Sequence, residues 1–248
     1  MFDPSKTILL ATRNKGKIAE FARLLAGFNL EVIGLDAFPD LEDVEETGST
    51  FEENALIKAR SASAHSGLVS LADDSGLSVE ALDGAPGVYS ARFCLLPALT
   101  GARSGLAPTG AGSGITPNSG NPPPTPPPPP AKEEMDAANV AKLLRVMHDV
   151  PQEKRGAFFC SVIAASAPNG ESITARGEWP GFVARIPLGS GGFGYDPVFF
   201  DPKLKVTAAQ MSMEVKNSRS HRARALQELR ALWPDFWRRA VLQADRKG

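Results

Sequence analysis

The hydrophobic pattern at the start of the chain predicts a strand, a polar turn and a helix in direct succession. Residues 7–12 form an apolar run typical of a buried strand, and residues 18–25 repeat apolar side chains at helical spacing. The turn between them, 13–17, is basic and contains a glycine. This arrangement suits an anion, because helix-end amides and lysines converge on one point. A solvated basic turn explains the same residues, since charge runs are usually exposed.

A second apolar run, residues 68–72, predicts a strand that ends in two adjacent acids, Asp73 and Asp74. Burying either carboxylate is costly unless a positive charge offsets it. Because Asp, Ser and Gly are ordinary turn residues, an acidic turn facing water is one interpretation. A divalent cation site is the other, and acids from the upstream stretch 42–46 are available to join it.

The rest of the pattern alternates helices and strands. Thr50 and Glu53 fit a capping box that opens a helix to about Ala64, which explains Glu53 without a catalytic role. Further elements are predicted as a strand at 77–82, a helix from Asp136, strands at 157–165, 172–177, 181–186 and 198–200, a Gly-rich loop at 189–197, and a helix after His221. We therefore expect an α/β fold, with a mixed β-sheet flanked by helices.

The composition changes abruptly at residues 94–135, which are rich in Gly, Pro, Ser and Thr and include the run PPPTPPPPP. Such a stretch is typical of a disordered or polyproline II linker. We interpret it as an insertion in a single domain formed by residues 1–93 and 136–248. A spacer is favoured over a proline-motif ligand, because long surface insertions cost little free energy. Deleting residues 98–130 should therefore leave activity largely intact.

Composition and charge exclude several classes of protein. The formal net charge of −1 argues against a protein that works by wrapping nucleic acid. The two cysteines, Cys94 and Cys160, form no CxxC pair, which disfavours a zinc site or a disulfide framework and favours a reducing compartment. The chain shows no signal-peptide pattern and no apolar run long enough to span a membrane. We expect a soluble, cytoplasmic protein that binds neither membrane nor nucleic acid.

The polar residues taken together predict a nucleotide site. The basic turn supplies cations for phosphates, and the acid pair supplies oxygen ligands for Mg²⁺. The Gly-rich loop presents the aromatic residues Phe193 and Tyr195 beside Asp196, as a shelf for a base. Lys216 and the pair His221–Arg222 follow near a helix start. Each piece has another explanation: the aromatic residues suit a core, and the histidine suits a helix surface.

Six segments carry a resemblance to a known family. They are ATRNKGKIAEF, EETGSTFEENALIKA, LADDSGLSVEALDGAPGVYSARF, GEWPG, GSGGFGYDPVFF and EVKNSRSHRARAL, in the family's order and over nearly the whole chain except the insertion. The sequence resembles the inosine/xanthosine triphosphate pyrophosphatases, the Ham1-like family. This resemblance implies hydrolysis of ITP, dITP and XTP to the monophosphate and pyrophosphate, with Mg²⁺. It also implies an elongated sheet with a nucleotide cleft between two lobes, and a homodimer.

The resemblance also implies roles for individual residues. Asp74 would bind metal and activate water, with Glu45 and Asp73 as further metal ligands. Whether Glu45 or Glu46 completes the metal site is left open by the sequence. The phosphates would be held by Thr12, Arg13, Asn14, Lys15, Gly16, Lys17 and Lys58. The rest of the substrate would be contacted by Ser75, Phe193, Gly194, Tyr195, Asp196, Lys216, His221 and Arg222.

Two departures from the family pattern stand out. Arg13 occupies a position where many relatives have glycine, so it either strains the turn or adds a phosphate contact. The insertion replaces a short connection and could alter a dimer contact. Other interpretations also remain open. One is a pyrophosphatase for modified pyrimidines or another base, and another is a non-catalytic nucleotide-binding or proline-rich adaptor. Nucleic-acid binding is disfavoured by the charge and by the lack of a recognised module.

Overall fold

The computed structural model describes residues 2–42, 44–97 and 131–242. Within them, one seven-stranded sheet has the order β2-β1-β3-β4-β5-β6-β7. Strand β1 pairs in parallel with β2 and β3, and the later pairs are antiparallel. The mixed sheet with flanking helices confirms the predicted α/β class.

The strands and helices alternate at first and then group together. The strands are β1 (Thr7–Leu10), β2 (Glu31–Gly34), β3 (Val69–Val79), β4 (Gly156–Ser166), β5 (Ser172–Val183), β6 (Phe199–Asp201) and β7 (Val206–Thr207). The helices are α1 (Lys15–Leu25), α2 (Phe51–Ser66), α3 (Lys132–Val146), α4 (Met213–Arg219) and α5 (His221–Leu242). A 3-10 helix, Gly87–Leu95, follows β3 closely. In the described residues, no helix combines the length and the apolar character that a membrane crossing needs.

Strand β3 differs from its prediction. The sequence predicts two short strands separated by an acidic turn, whereas β3 runs unbroken through Asp73, Asp74, Ser75 and Gly76. Pairing with β4 in continuous register holds this stretch extended, with Asp73 opposite Ile163 and Asp74 opposite Val162. Long-range pairing therefore overrides local turn chemistry. Strand β5 likewise joins two predicted strands.

The two faces of the sheet are covered by different helices. On one face, Leu71 and Ile163 pack in a core cluster with residues of α1 and α5. On the other, Ala72 and Val162 pack against α2. Successive side chains of a strand point to opposite faces, so this division continues along β3.

Helix α2 begins as predicted. The Thr50 side chain accepts the Glu53 amide at 3.1 Å, and a Glu53 carboxylate oxygen accepts the Thr50 amide at 3.2 Å. This capping box satisfies amides at the helix end that would otherwise lack partners.

The predicted insertion lies mostly outside the described residues, which stop at Pro97 and resume at Ala131. The predicted helix start at Asp136 is wrong, because α3 begins at Lys132. The chain before the gap is fixed to this helix: the Lys142 ammonium donates to the carbonyls of Phe93, Leu96 and Pro97 at 2.8, 2.5 and 3.2 Å.

The amino-terminal turn of α5 crosses β5 at Gly177 in close contact. A Cβ atom at Gly177 would lie 2.1 Å from the His221 carbonyl oxygen and 2.3 Å from the Ala225 amide nitrogen. Both are backbone atoms, so no rotamer change relieves the overlap. Because Gly177 has no side chain, the helix that carries His221 and Arg222 can pack directly against β5.

Replacing Gly177 by Ala should destabilise the fold by about 3 kcal/mol, because overpacking against backbone forces α5 away from β5. Urea unfolding measures this change. The matched control is Gly27→Ala, where the added Cβ meets nothing within 4 Å. Equal unfolding midpoints for the two variants would contradict the close crossing.

Candidate active site

The two adjacent aspartates of β3 face opposite sides of the sheet. Asp73 points towards α1 and α5, and the Lys17 ammonium donates to both of its carboxylate oxygens at 2.9 and 3.0 Å. Arg222 Nη2 lies 3.5 Å from Asp73 Oδ2. The Asp73 side chain is only 5% exposed, so this is a buried carboxylate held by two cations.

Asp74 points towards α2 and has a different partner. The Lys58 ammonium donates to Asp74 Oδ1 and to Glu46 Oε1, each at 2.9 Å. Arg92 Nη1 lies 3.7 Å from the second oxygen of Glu46. Asp74 Oδ2 is buried and has no hydrogen-bond partner. Lys58 therefore pairs with both carboxylates, and Oδ2 of Asp74 remains free to accept a hydrogen bond.

The environments move the two pKa values in opposite directions. Burial tends to raise the pKa of Asp73, but the charges of Lys17 and Arg222 outweigh it, and the net shift is downward. Burial raises the pKa of Asp74, and Lys58 only partly offsets this. The pKa of Lys58 is itself raised, because its two carboxylates outweigh its burial. Asp73 is thus a buried carboxylate that its two cations keep ionised, whereas Asp74 is the more basic of the two carboxylates.

Both faces meet at an open edge of β3. Strand β1 pairs with β3 only from Val69 to Leu71. The last link on this side is the Ala11 amide, which donates to the Leu71 carbonyl at 2.7 Å. Beyond it, in the described residues, no strand lies beside residues 73–76 on the β1 side. Ligands in open α/β sheets bind beyond the carboxyl ends of strands, so this edge is the candidate site.

Hydrogen bonds within the predicted phosphate-binding turn already satisfy several of its backbone amides. Asn14 caps α1, and its side-chain oxygen accepts the Gly16 and Lys17 amides at 2.9 and 3.2 Å. The Thr12 hydroxyl oxygen accepts the Asn14 amide at 3.2 Å. Lys15 and Gly16 are exposed. The helix start is thus capped from within, and Lys15 is the exposed lysine that remains for phosphate, because Lys17 is bound to Asp73.

Arg13 contacts a neighbouring loop. Its guanidinium donates to the carbonyls of Leu35 and Leu41, each at 3.4 Å, and lies 3.8 Å from Asp36. Arg13 is not among the residues with positive φ, so the arginine does not strain the turn. Its predicted phosphate contact remains a prediction.

Ser75 is partly buried and lies two residues beyond Asp73, on the same face of β3. Its predicted substrate contact also remains a prediction. On the opposite face, beside Lys58 and Glu46, a cavity of about 250 Å³ reaches Leu35 and Leu41.

The Gly-rich loop is organised around a buried carboxylate. Asp196 is 2% exposed, and its Oδ2 atom accepts the Phe193 amide at 2.8 Å and a hydrogen bond from the Lys216 ammonium. A Cβ atom at Gly192 would lie 1.9 Å from the same oxygen. Phe193 itself is 56% exposed, with the Lys216 ammonium 4.7 Å from the centre of its ring. An exposed aromatic ring is thus fixed beside two charged groups.

The prediction that Tyr195 stacks on a base is wrong for this structure. Its side chain is 4% exposed and packs in the core with Leu77 and Phe93. Its hydroxyl donates to the Ser90 carbonyl at 3.0 Å. Burial of a large ring next to an exposed one is the core interpretation that the sequence left open, and the aromatic shelf therefore consists of Phe193 alone.

His221 and Arg222 are the first two residues of α5, and Arg222 pairs with Asp73. The His221 ring stacks on Phe159, with ring centres 4.9 Å apart and planes inclined by 22°. Burial, reinforced by Arg222 and Lys216, lowers the pKa of His221 to about 3. The Nδ1 atom of His221 and the Nε atom of Arg222 are buried without a hydrogen-bond partner. A neutral imidazole therefore stands beside two cations without repelling them.

The predicted metal trio of Asp74, Asp73 and Glu45 is not gathered. Asp73 lies on the other face and is occupied by cations, and Glu45 is exposed. Across residues 2–42, 44–97 and 131–242, no group of three or more His, Cys, Asp or Glu is placed to hold a metal. Glu46 shares Lys58 with Asp74, so the second acid at this position is Glu46.

Sequence reasoning left open whether Glu45 or Glu46 completes the acid set, and it missed Arg92 altogether. The missing signal is spatial, since Glu46 meets Asp74 through a lysine of α2. Nothing in the local pattern around Arg92 distinguishes it from a surface arginine.

Comparison with known proteins shows the family of this chain. The model of the Ham1 family matches residues 8–105 and 130–232. The chain belongs to the Ham1 family. The two matched ranges leave out residues 106–129, which fall within the predicted insertion.

Individual relatives of this Ham1 family member cover nearly its whole length. A dITP/XTP pyrophosphatase of Nitratidesulfovibrio vulgaris is 47% identical over 232 residues, which is 94% of this chain and 98% of that protein. A protein of the same name from Nocardia farcinica is 44% identical over 225 residues, with coverages of 90% and 92%. The Ham1 protein of Staphylococcus aureus has a solved structure that matches with a TM-score of 0.72 at 36% identity, over 93% of this chain and 99% of that one.

The two aspartates of this Ham1 family member should respond oppositely to loss of charge. Asp73→Asn leaves Lys17 and Arg222 without their shared carboxylate and should cost about 3 kcal/mol of unfolding free energy at pH 7. Asp74→Asn removes a charge whose pKa is raised in the fold, so stability should stay equal or rise. Urea unfolding of both variants measures the contrast.

The pH dependence gives a check on Asp73. Its folded pKa is lowered from 3.8, so its stabilisation is present above that value and disappears as the pH falls through the folded pKa. The deficit of the Asp73→Asn variant should therefore shrink in acid. An equal loss of unfolding free energy in the variant at pH 7 and pH 2 would argue against stabilisation by the ionised Asp73 carboxylate.

His221 should make the protein acid-sensitive over a different range. Its folded pKa of about 3 lies below the usual 6.5, so the unfolded chain binds a proton first as the pH falls. Relative to His221→Gln, wild type should lose up to about 1.4 kcal/mol of stability per pH unit below pH 6. Parallel stability curves between pH 7 and pH 4 would show that the imidazole is not held neutral.

Proposed function

We propose that this chain hydrolyses the aberrant purine nucleoside triphosphates dITP, ITP and XTP to the monophosphate and pyrophosphate. The observation that carries the proposal is the buried, unpartnered Oδ2 of Asp74 at the open edge of β3, with lysines on both faces. A carboxylate with a raised pKa and a free oxygen suits a general base. The names of the relatives as dITP/XTP pyrophosphatases support the same reaction.

The chemistry assigns a role to each group at this edge. A water oxygen attacks the α-phosphorus, its proton passes to Asp74 Oδ2, and the bond from the α-phosphorus to the bridging oxygen breaks. The electron pair leaves with pyrophosphate. Lys58 keeps the rest of the Asp74 carboxylate oriented through Oδ1, at 2.9 Å. We assign Lys15, the exposed lysine of the turn before α1, to offset the phosphate charge.

The donor set also fits a magnesium ion, which we propose as the cofactor. Mg²⁺ in proteins is commonly bound by one or two carboxylates together with substrate phosphates. Glu46 would hold it together with the substrate phosphates, beside Asp74, whose Oδ2 atom stays available for the proton. When bound, the ion would neutralise phosphate charge and favour ionisation of water.

The base is assigned to the region of Phe193, His221 and Arg222. Phe193 offers an exposed ring for stacking, and Arg222 offers an unpartnered donor at Nε. Hypoxanthine and xanthine carry a 6-keto oxygen that accepts such a donor. Adenine carries an amino group there, which would leave the buried donor unpaired and so weaken binding.

The family resemblance further leads us to propose a cytoplasmic homodimer. Light scattering on the purified protein measures its mass in solution, and a mass of one chain would overturn the dimer.

The test is pyrophosphate release from ITP, dITP, XTP, GTP, ATP and dUTP, with and without Mg²⁺. We expect turnover of the first three, and Asp74→Asn should lower it by about 10² or more, because a general base contributes that much. Glu46→Gln should raise the Mg²⁺ concentration needed for half-maximal rate by about tenfold, whereas the matched Glu45→Gln should not.

Other outcomes of the panel separate the alternatives. Turnover of dUTP in preference to the purines keeps the chemistry and discards the base assignment. A folded wild-type protein with no turnover on any nucleotide overturns the enzyme and leaves the adaptor interpretation. Equal effects of the Glu45 and Glu46 substitutions would remove Glu46 from the metal site.

A further inference from the structure

The loop that carries Phe193 is fixed from two sides. From inside, Asp196 accepts the Phe193 amide. From outside, the Gly194 amide donates to Oδ2 of Asp136 at 2.8 Å, although the two residues lie 58 positions apart. Gly194 has a φ of +60°, a left-handed conformation that orients its amide towards α3 rather than along the loop.

Helix α3 makes a second contact one turn earlier. The Lys132 ammonium lies 5.1 Å from the centre of the Phe193 ring. Positions 132 and 136 are four apart in the helix, so their side chains share one face. The Phe193 ring is therefore approached by two ammonium groups, because Lys216 lies 4.7 Å from the same centre.

We propose that Asp136 is the positioning residue for the base, assisted by Lys132. The inference rests on the proposed function, in which Phe193 stacks on the purine. Asp136 fixes the backbone of Gly194, and this sets the direction in which the Phe193 ring faces the cleft. Lys132 and Lys216 then attract the face of the ring, which helps to hold its orientation for stacking on the base.

The position of these contacts predicts which kinetic constant changes. Phe193 meets the base, which keeps the same structure while the α-phosphorus reacts. Interactions that are equal in the ground state and the transition state change KM and leave kcat unaltered. Asp136 should therefore act on KM, whereas Asp74 acts on kcat.

The experiment compares Asp136→Ala, Asp136→Asn and Glu133→Ala. We expect Asp136→Ala to raise KM for ITP about tenfold, as loss of one partly buried hydrogen bond implies, with kcat within about twofold. Asp136→Asn keeps an acceptor oxygen and should restore most of the affinity. Glu133 is an exposed acid of the same helix, so its substitution is the matched control for charge and helix stability.

A second measurement does not depend on turnover. Hydrogen exchange of the Gly194 amide should be slow in wild type and in Asp136→Asn and fast in Asp136→Ala, and IMP should bind about tenfold more weakly to Asp136→Ala. If wild type hydrolyses none of the nucleotides, the proposed function fails, and IMP binding then decides the inference alone. Equal IMP affinity of wild type and Asp136→Ala overturns it.

Two further outcomes also count against the proposal. A folded Asp136→Ala variant that loses kcat at constant KM would place Asp136 in the chemical step. An Asp136→Asn variant as weak as Asp136→Ala would show that the acceptor oxygen is not what positions the loop.

Discussion

The site depends on the pleat of a single strand and on the point where its neighbour stops. Adjacent residues of β3 face opposite sides of the sheet, so Asp73 and Asp74 are separated although they are consecutive. Each therefore has its own cation, Lys17 from α1 and Lys58 from α2. Because β1 pairs with β3 no further than Leu71, no strand pairs with the edge next to the two aspartates on the β1 side in the described residues.

Asp73 and Asp74 are the same residue type, but their surroundings shift their pKa values in opposite directions. Two cations outweigh the burial of Asp73 and keep it charged, so it stabilises the fold. One lysine is divided between Asp74 and Glu46, which leaves the burial of Asp74 only partly offset and its second oxygen free. The number of cations per carboxylate thus separates a carboxylate with a lowered pKa from one with a raised pKa.

Much of this could be predicted from local sequence, and the exceptions have one physical cause. The capping box at Thr50 and the helix–strand pattern follow from neighbouring residues, and six sequence segments pointed to the family. The unbroken path of β3 could not be predicted, because pairing with β4 overrides Asp-Ser-Gly turn preferences. Lys17 and Lys58 lie 56 and 16 residues along the chain from Asp73 and Asp74, so only the tertiary structure shows which lysine pairs with which aspartate. The burial of Tyr195 likewise depends on the tertiary structure.

Strand β3 also limits the kinds of change that the chain can accommodate. Side chains alternate with a period of two, so one residue inserted or deleted between Leu71 and Asp73 would exchange the faces of the two carboxylates. Both aspartates would be kept, yet Asp74 would then face Lys17 and Asp73 would face Lys58. Two residues added together would restore the faces but move the pair away from the end of β1. The length of this short segment is therefore as restrictive as its chemistry.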